Sequence, residues 1–253
     1  MTVAILEALY RYPVKGMTPQ PLLGTKLTPG ETIPLDRAWA IENGPGRFDP
    51  AAPKHLPKIA FVMLMRDQKL AQLQAAFDEA TGVLSISRDG RPVVRGDLAG
   101  ATGRQMIEQF LAAYLDGSLR GAPRIVSSPG HSFSDVKDKC VHIVSRGSLA
   151  ELERAAGRAL DPLRFRPNLV LSGWPPWMEF GLVGKSLTIG PVRLDVFTRT
   201  QRCAATDVDP ATGARDTAIP QILQSAFGHS DFGVYARVAT AGEISVGDRV
   251  ELS

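Results

Sequence analysis

The sequence contains 253 residues, of which 44% are hydrophobic and 22% are charged, a composition typical of a globular protein with a sizeable core. Its formal net charge of only +3 argues against a nucleic-acid-binding protein, because such proteins concentrate basic residues on one face. The chain begins without the features of a signal peptide, and no apolar run approaches the roughly 20 residues of a transmembrane helix. Two cysteines, Cys140 and Cys203, cannot form a disulfide framework. These features predict a cytoplasmic protein with no nucleic-acid partner and no membrane association.

The first half of the chain alternates short apolar runs with Pro, Gly and Asp, which predicts short strands. Strands are predicted within residues 3–14, 22–42 and 59–65, with a proline-rich loop at 43–58. Apolar residues at three- and four-residue steps predict helices over 66–80 and around 106–115. Between them, Asp89-Gly90 predicts the tight turn of a hairpin over 83–94.

The second half begins with a predicted loop at 122–135 and a strand at 139–145. Ser148 and Glu151 have the spacing of a capping box, which predicts that a helix begins there. Further strands are predicted within 165–173, 186–208 and 235–252, with a short helix over 217–227. Short strands with a few amphipathic helices indicate an α+β chain built around barrels or curved sheets, since the regular strand–helix alternation of a doubly wound sheet is missing.

The segment TRTQRCAATDVDPATG at 198–213 places Cys203 directly after Arg202. Nearby positive charge favours the thiolate, which is a nucleophile or a metal ligand. Free cysteine is also commonly buried for packing alone, so both interpretations are open at this point. If the segment is extended, Gln201 shares the face of Cys203, whereas Arg202 points the opposite way.

Other basic residues stand at comparable positions near the ends of predicted strands, namely Lys15, Arg37 and Arg166. Each of them alone is most simply an exposed surface charge. Together with Asn168 and a thiol, they would suit an anionic, phosphate-bearing ligand, because a guanidinium group binds phosphate with two hydrogen bonds and an ammonium group supplies a point charge.

Six segments resemble, in order, those of MOSC-domain proteins, which are named for the C-terminal domain of molybdenum cofactor sulfurases. These segments are YPVKG, PLDRAW, VHIVSRGSLAELE, FRPNLVLSG, RTQRCAATDVDPATG and FGVYARVATAGEISVGDRVEL. The earlier ones resemble the MOSC N-terminal β-barrel domain of the amidoxime-reducing branch. The resemblance covers nearly the whole chain. It implies an α+β, β-barrel-rich MOSC fold with a few packed helices, divided into an N-terminal β-barrel-like domain (1–118) and a MOSC domain (119–253).

The resemblance also implies a site for molybdenum cofactor, a molybdenum–pterin group, between the two domains. Cys203 matches a cysteine that ligates molybdenum in the amidoxime-reducing branch, and Asp209 matches an acidic residue near the metal, as a proton donor or a supporting group. Residues implied to contact the cofactor are Lys15, Arg37, Ser145, Arg166, Asn168, Gln201 and Arg202. Gly16 departs from the serine that reducing members often have after the lysine.

The implied activity is molybdenum-dependent reduction of small N-hydroxylated compounds. Electrons would come from a separate protein, either ferredoxin-like, cytochrome b5-like or a flavin reductase, because two cysteines cannot supply the ligands of an iron–sulfur cluster. The first alternative is a cofactor carrier or a persulfide sulfur-transfer module without turnover of its own. The second is a scaffold in which Cys203 is simply buried.

Overall fold

The computed structural model describes residues 3–44 and 46–252. Its strands are β1 (Ala4–Arg11), β2 (Gln20–Leu22), β3 (Gly24–Leu27), β4 (Trp39–Asn43), β5 (Leu73–Asp78), β6 (Val83–Arg88), β7 (Arg91–Asp97), β8 (Pro123–Ser127), β9 (Val141–Ser145), β10 (Leu169–Ser172), β11 (Ser186–Ile189), β12 (Val192–Gln201), β13 (Asp231–Val238), β14 (Gly242–Ser245) and β15 (Arg249–Leu252). Its α-helices are α1 (Ala101–Tyr114), α2 (Arg146–Ala156) and α3 (Ile219–Phe227). Short 3₁₀ helices lie at Lys58–Ala60, Gln68–Gln72, Pro162–Phe165, Met178–Leu182 and Ala204–Asp207.

Seven strands close into a barrel in the order β1, β10, β9, β13, β12, β11 and β15, with β15 pairing back to β1. Only the β9–β10 pair of these seven described strands is parallel. Side chains alternate between the two faces of a strand, and those that point inward, such as Leu6, Leu171 and Val234, are completely buried. The α+β fold built on a β-barrel is therefore confirmed.

The N-terminal residues are built into structure formed by the C-terminal half. Strand β1 closes the barrel between β10 and β15, β3 pairs with β14, and β4 pairs with β8. The three-stranded sheet β5–β6–β7 belongs to the N-terminal half alone, and α1 packs against it through Ile107 and Leu111. Because strands of the two halves pair with each other, residues far apart in the chain come together at one end of the barrel. No helix in the described residues is long and apolar enough to cross a membrane.

The hairpin over 83–94 is confirmed, with Asp89 and Gly90 both at positive φ in its turn, and α1 and α3 confirm two predicted helices. The helix predicted over 66–80 is wrong: a 3₁₀ turn is followed by β5. Leu73, Ala75 and Phe77 also fit the two-residue period of a strand. An apolar pattern this short is compatible with both a helix and a strand.

Three further local predictions are corrected. Residues 59–65 form a 3₁₀ turn and one isolated bridge instead of a strand, and the predicted loop at 122–135 contains β8. The cap of α2 is Ser145, whose Oγ accepts a hydrogen bond from the Gly147 amide at 3.2 Å. Ser148 instead donates to the Glu179 carboxyl group at 2.8 Å.

Close contact between α1 and β7 requires glycine at Gly103. A Cβ there would lie 2.2 Å from the Asp97 carbonyl oxygen. We expect Gly103→Ala to lower the free energy of unfolding by about 2 kcal/mol, even though alanine favours helix formation. The matched control is Gly181→Ala, because a Cβ at Gly181 has no heavy atom within 4 Å. Urea unfolding of both variants measures the effect, and equal midpoints would contradict this packing.

Candidate functional site

A cavity of about 600 Å³ lies at the end of β12, between the barrel and segments from the N-terminal half. Its lining contains two acidic residues and seven basic residues. The acidic residues are Asp36 and Asp135; the basic residues are Lys15, Arg37, Lys58, Arg164, Arg166, Arg199 and Arg202. This local excess of positive charge is larger than the net charge of +3 carried by the whole chain. A cleft lined by one sign of charge attracts ligands of the opposite sign, so the cavity is suited to an anion.

Seven of the nine predicted site residues line this cavity, although they come from distant parts of the sequence. They are Lys15, Arg37, Arg166, Asn168, Gln201, Arg202 and Cys203. Ser145 and Asp209 do not line it. Ser145 is completely buried as the cap of α2.

Asp209 organises the turn at 209–213. Its Oδ1 accepts hydrogen bonds from the Ala211 and Thr212 amides at 2.9 and 2.8 Å, and its Oδ2 accepts from Arg164 at 2.9 Å. Gly213 completes the turn with a φ of 72°. Asp209 thus reaches the cavity through Arg164, and its proposed place near a metal stays a prediction.

A buried tyrosine holds two of the arginines. The guanidinium carbons of Arg37 and Arg166 lie 4.3 and 4.2 Å from the centroid of the Tyr12 ring, a cation–π arrangement. Both arginines have a φ of 52°, which is uncommon for residues other than glycine. Burial raises the pKa of Tyr12, so the ring is a neutral phenol in contact with both guanidinium groups. Tyr12 is the first residue of the segment YPVKG, but the sequence alone assigned it no role in the site.

The two arginines differ in how fully the protein satisfies them. Arg37 forms an ion pair with Asp36 and donates to Asn168 Oδ1 and the Arg166 carbonyl oxygen, each at 3.2 Å. Arg166 donates Nη1 to the Met17 carbonyl oxygen at 2.8 Å, whereas its Nη2 is buried without a partner among the described residues. Burial lowers the pKa of Arg166 to about 10, so the group remains charged at neutral pH.

Asn168 ties the cavity to the barrel. Its Oδ1 accepts from the His142 amide at 3.1 Å, and its Nδ2 donates to the Tyr10 carbonyl oxygen at 3.1 Å. A single buried amide therefore joins β9, β1 and the Arg37 guanidinium group. Its side chain stabilises the site by fixing these three elements.

Lys15 is buried beside the loop that precedes β9. Its Nζ donates to the Phe133 carbonyl oxygen at 2.8 Å and forms an ion pair with Asp135. Burial lowers the pKa of Lys15, and Asp135 opposes this shift. The next residue, Gly16, has a φ of 83°, and a Cβ there would lie 3.1 Å from the Val62 carbonyl oxygen. The local backbone therefore disfavours a serine at this position.

Cys203 is partly exposed at the start of the 3₁₀ helix Ala204–Asp207. β12 ends at Gln201, and Arg202 and Cys203 both line the cavity. The opposite orientation expected of their two side chains stays a prediction. Burial lowers the pKa of Arg202, an effect opposed by Tyr235 and by Cys203.

Cys140 lines the same cavity in a different environment. Its side chain is 5% exposed, and burial raises its pKa to about 12. Cys140 is therefore a neutral thiol at physiological pH, in agreement with its expected place in the core.

Five buried polar atoms in residues lining the cavity have no hydrogen-bond partner within the described part of the chain. They are Arg164 Nε, Arg166 Nη2, Arg202 Nε, Thr200 Oγ1 and His142 Nε2. An unsatisfied buried polar group costs roughly 1–3 kcal/mol, so a ligand that accepts hydrogen bonds from Arg166 and Arg202 would remove part of this cost. Thr200 and His142 carried no distinguishing signal in the sequence.

His142 generates a testable pH dependence of stability. Burial keeps its pKa well below the ordinary value, and the nearby Arg202 acts in the same direction. Between pH 7 and 5 the unfolded chain takes up a proton here, while the folded chain does not, so stability falls as pH falls. We expect this group to contribute about 2 kcal/mol of that loss. Unfolding of His142→Gln at both pH values should show a correspondingly smaller loss than wild type, and an unchanged loss would contradict a neutral folded imidazole.

Residues 124–251 match the family described as MOSC domain, and residues 3–120 match the MOSC N-terminal beta barrel domain. Human mitochondrial amidoxime-reducing component 1 is 26% identical, over 99% of this chain and 83% of that protein. A molybdenum cofactor sulfurase from Caenorhabditis briggsae is also 26% identical, over 59% of this chain and 21% of that protein. The solved structure of the YUAD protein from Bacillus subtilis aligns with a TM-score of 0.45 and 14% identity, over 99% of this chain and 95% of that one.

Proposed function

The chain belongs to the family of MOSC-domain proteins, and from this premise we propose that it is a molybdenum-cofactor-dependent oxidoreductase that reduces small N-hydroxylated compounds. The observation that carries this proposal is the cationic cavity with the partly exposed thiol of Cys203 in its wall. Similarity to an amidoxime-reducing protein along 99% of the chain supports the same class of activity.

The cavity residues take three roles in this proposal. Arg166 and Arg202 have buried nitrogen atoms without a hydrogen-bond partner in the described part of the chain, so they would donate hydrogen bonds to the phosphate or pterin oxygens of the cofactor. Arg37 is already paired with Asp36, and Asn168 bonds to two strands, so these residues would hold the site in shape. Lys15 would add a fixed positive charge. Charge-assisted hydrogen bonds of this kind are roughly twice as strong as neutral ones.

Cys203 would be the protein's ligand to molybdenum, for which a soft thiolate is a suitable donor. The bound cofactor would supply two-electron reduction of the substrate's N–O bond. The turn that carries Cys203 is restrained, because Thr206 Oγ1 donates to the Cys203 carbonyl oxygen at 2.9 Å and Arg164 donates to the carbonyl oxygens of Thr206 and Asp207 at 3.5 and 3.3 Å. We propose that Asp209 supports this turn by binding Arg164.

The remaining groups in the reaction would come from outside the chain. The substrate would be a small N-hydroxylated molecule, and the electrons would come from a separate donor protein, either ferredoxin-like, cytochrome b5-like or a flavin reductase. Ser145 would contribute by fixing the start of α2, and Gln201 by its position at the cavity wall. We also propose that the protein works in the cytoplasm.

A carrier or persulfide sulfur-transfer module is the second candidate. The similarity to a molybdenum cofactor sulfurase and the partial exposure of Cys203 favour it, since persulfide chemistry also needs an accessible sulfur atom. In that role Cys203 would hold or pass on sulfur or cofactor without reducing a substrate.

The two cysteines provide a matched test of ligation. We expect wild-type protein from a host that makes molybdenum cofactor to contain molybdenum in stoichiometric amount, and Cys203→Ser to lose most of it, because serine lacks the soft donor. Cys140→Ser should retain the metal, since Cys140 is a buried neutral thiol. Mass spectrometry of the metal measures both variants. Equal molybdenum in Cys203→Ser and wild type would contradict ligation by Cys203.

Turnover separates the enzyme from the carrier. With a reduced dye as electron donor, we expect wild type to reduce benzamidoxime to benzamidine, and Cys203→Ser to be at least about 100-fold slower. A molybdenum-loaded protein without turnover, whose Cys203 instead releases thiocyanate on treatment with cyanide, would favour the sulfur-transfer module and contradict the reductase.

A further inference from the structure

The cavity has an apolar wall in addition to its cationic one. Met63, Leu64 and Met65 are consecutive in the chain, and all three line the cavity. They follow the 3₁₀ helix Lys58–Ala60 in the segment that the sequence predicted as a strand. The proposed binding of the cofactor by basic residues does not involve these three residues.

The two methionines differ from their neighbour in what they pack against. Leu64 packs on the hydrophobic core of the N-terminal half, whereas Met63 and Met65 belong to none of the apolar clusters among the described residues. Both are only partly buried. Because both residues line the cavity and neither packs in these clusters, their thioether side chains are available to contact a ligand in the cavity.

The backbone of this wall is held in place at both ends. The amides of Arg66 and Asp67 both donate to the Met63 carbonyl oxygen, at 3.1 and 2.9 Å. Arg215 donates to the Met65 carbonyl oxygen at 2.5 Å and to the Ala204 carbonyl oxygen at 2.7 Å.

These contacts place the wall within the site. At one end, the Cα of Met63 lies 3.8 Å from the position that a Cβ on Gly16 would occupy, next to Lys15. At the other end, Arg215 joins Met65 to the residue that follows Cys203. The wall therefore runs along the cavity from the lysine to the turn that carries the thiol.

We propose that Met63 and Met65 bind the apolar body of the substrate, so that the preferred substrates are N-hydroxylated compounds with an aryl or similarly large hydrocarbon group. This inference rests on the proposed function. Methionine is flexible and polarizable, and it makes favourable contacts with aromatic rings. A pair of methionines accommodates rings of different shape. The wall therefore favours substrates with an apolar group in general and does not require one particular ring.

Two substrates with the same reacting group test the inference kinetically. Benzamidoxime and acetamidoxime differ only in a phenyl against a methyl group, so the ratio of their kcat/KM values reports binding of the apolar body. We expect the double variant Met63→Gln, Met65→Gln to lower this ratio about tenfold, and Met63→Leu, Met65→Leu to preserve most of it. Met106→Gln is the matched control, because Met106 is exposed on α1 and does not line the cavity. An unchanged ratio in the glutamine variant would overturn the proposal.

Methyl NMR supplies a readout that needs no turnover. In the as-purified protein labelled at the methionine methyl groups and without an electron donor, benzamidoxime should shift the signals of Met63 and Met65 and leave that of Met106 in place. If wild type reduces neither amidoxime, the proposed function fails. The NMR titration then still tests whether Met63 and Met65 bind the apolar group of the ligand. Signals of Met63 and Met65 that do not move would overturn the proposal even if the protein proves to be a reductase.

Discussion

The concentration of positive charge around one partly buried cavity is the constraint on which the rest of the site depends. Two unit charges about 4 Å apart repel by roughly 4 kcal/mol at the effective dielectric of a protein surface. The chain offsets part of this cost through cation–π contacts of Arg37 and Arg166 with the Tyr12 ring and through the ion pair of Arg37 with Asp36. Ion pairs of Lys15 with Asp135 and of Arg164 with Asp209 act in the same way. Nitrogen atoms of Arg166 and Arg202 are nevertheless buried without hydrogen-bond partners among the described residues. A ligand of negative charge would stabilise the fold by binding there.

The two cysteines differ in chemical role because their surroundings in the fold differ. Both line the same cavity, yet Cys140 is enclosed by the fold and remains a neutral thiol. Cys203 lies on a turn just past the end of β12, partly exposed and next to Arg202, whose pKa is lowered by burial of its charge. The same sheet that buries one sulfur atom thus presents the other at its end, where a strand gives way to a turn.

Much of the fold followed from local patterns, and what failed did so for physical reasons. The hairpin at Asp89-Gly90 depends on a turn that few other residue pairs form, so it could be predicted. The segment at 66–80 fits both a helix and a strand, and only its pairing with β6 selected the strand. The barrel closes through β1 pairing with β10 and β15, more than 150 residues away, and no local pattern contains that information.

The functional site was likewise predictable in part from the sequence. Cys203 and the basic residues were recognisable from their chemistry and motifs, and the cavity brings most of them together. Asp209 was assigned near the metal because of its motif, but the hydrogen bonds of its side chain fix a turn and Arg164. Tyr12, Met63 and Met65 carry ordinary apolar signals. The contact of Tyr12 with two arginines and the position of Met63 and Met65 in the cavity emerged only from the folded chain.

X-ray absorption at the molybdenum edge is the decisive measurement, because it counts the sulfur atoms bound to the metal. Ligation by Cys203 predicts one sulfur neighbour more in the wild-type protein than in Cys203→Ser carrying residual metal. Identical sulfur shells in the two proteins, or a wild-type protein that takes up no molybdenum in a host that makes the cofactor, would contradict it.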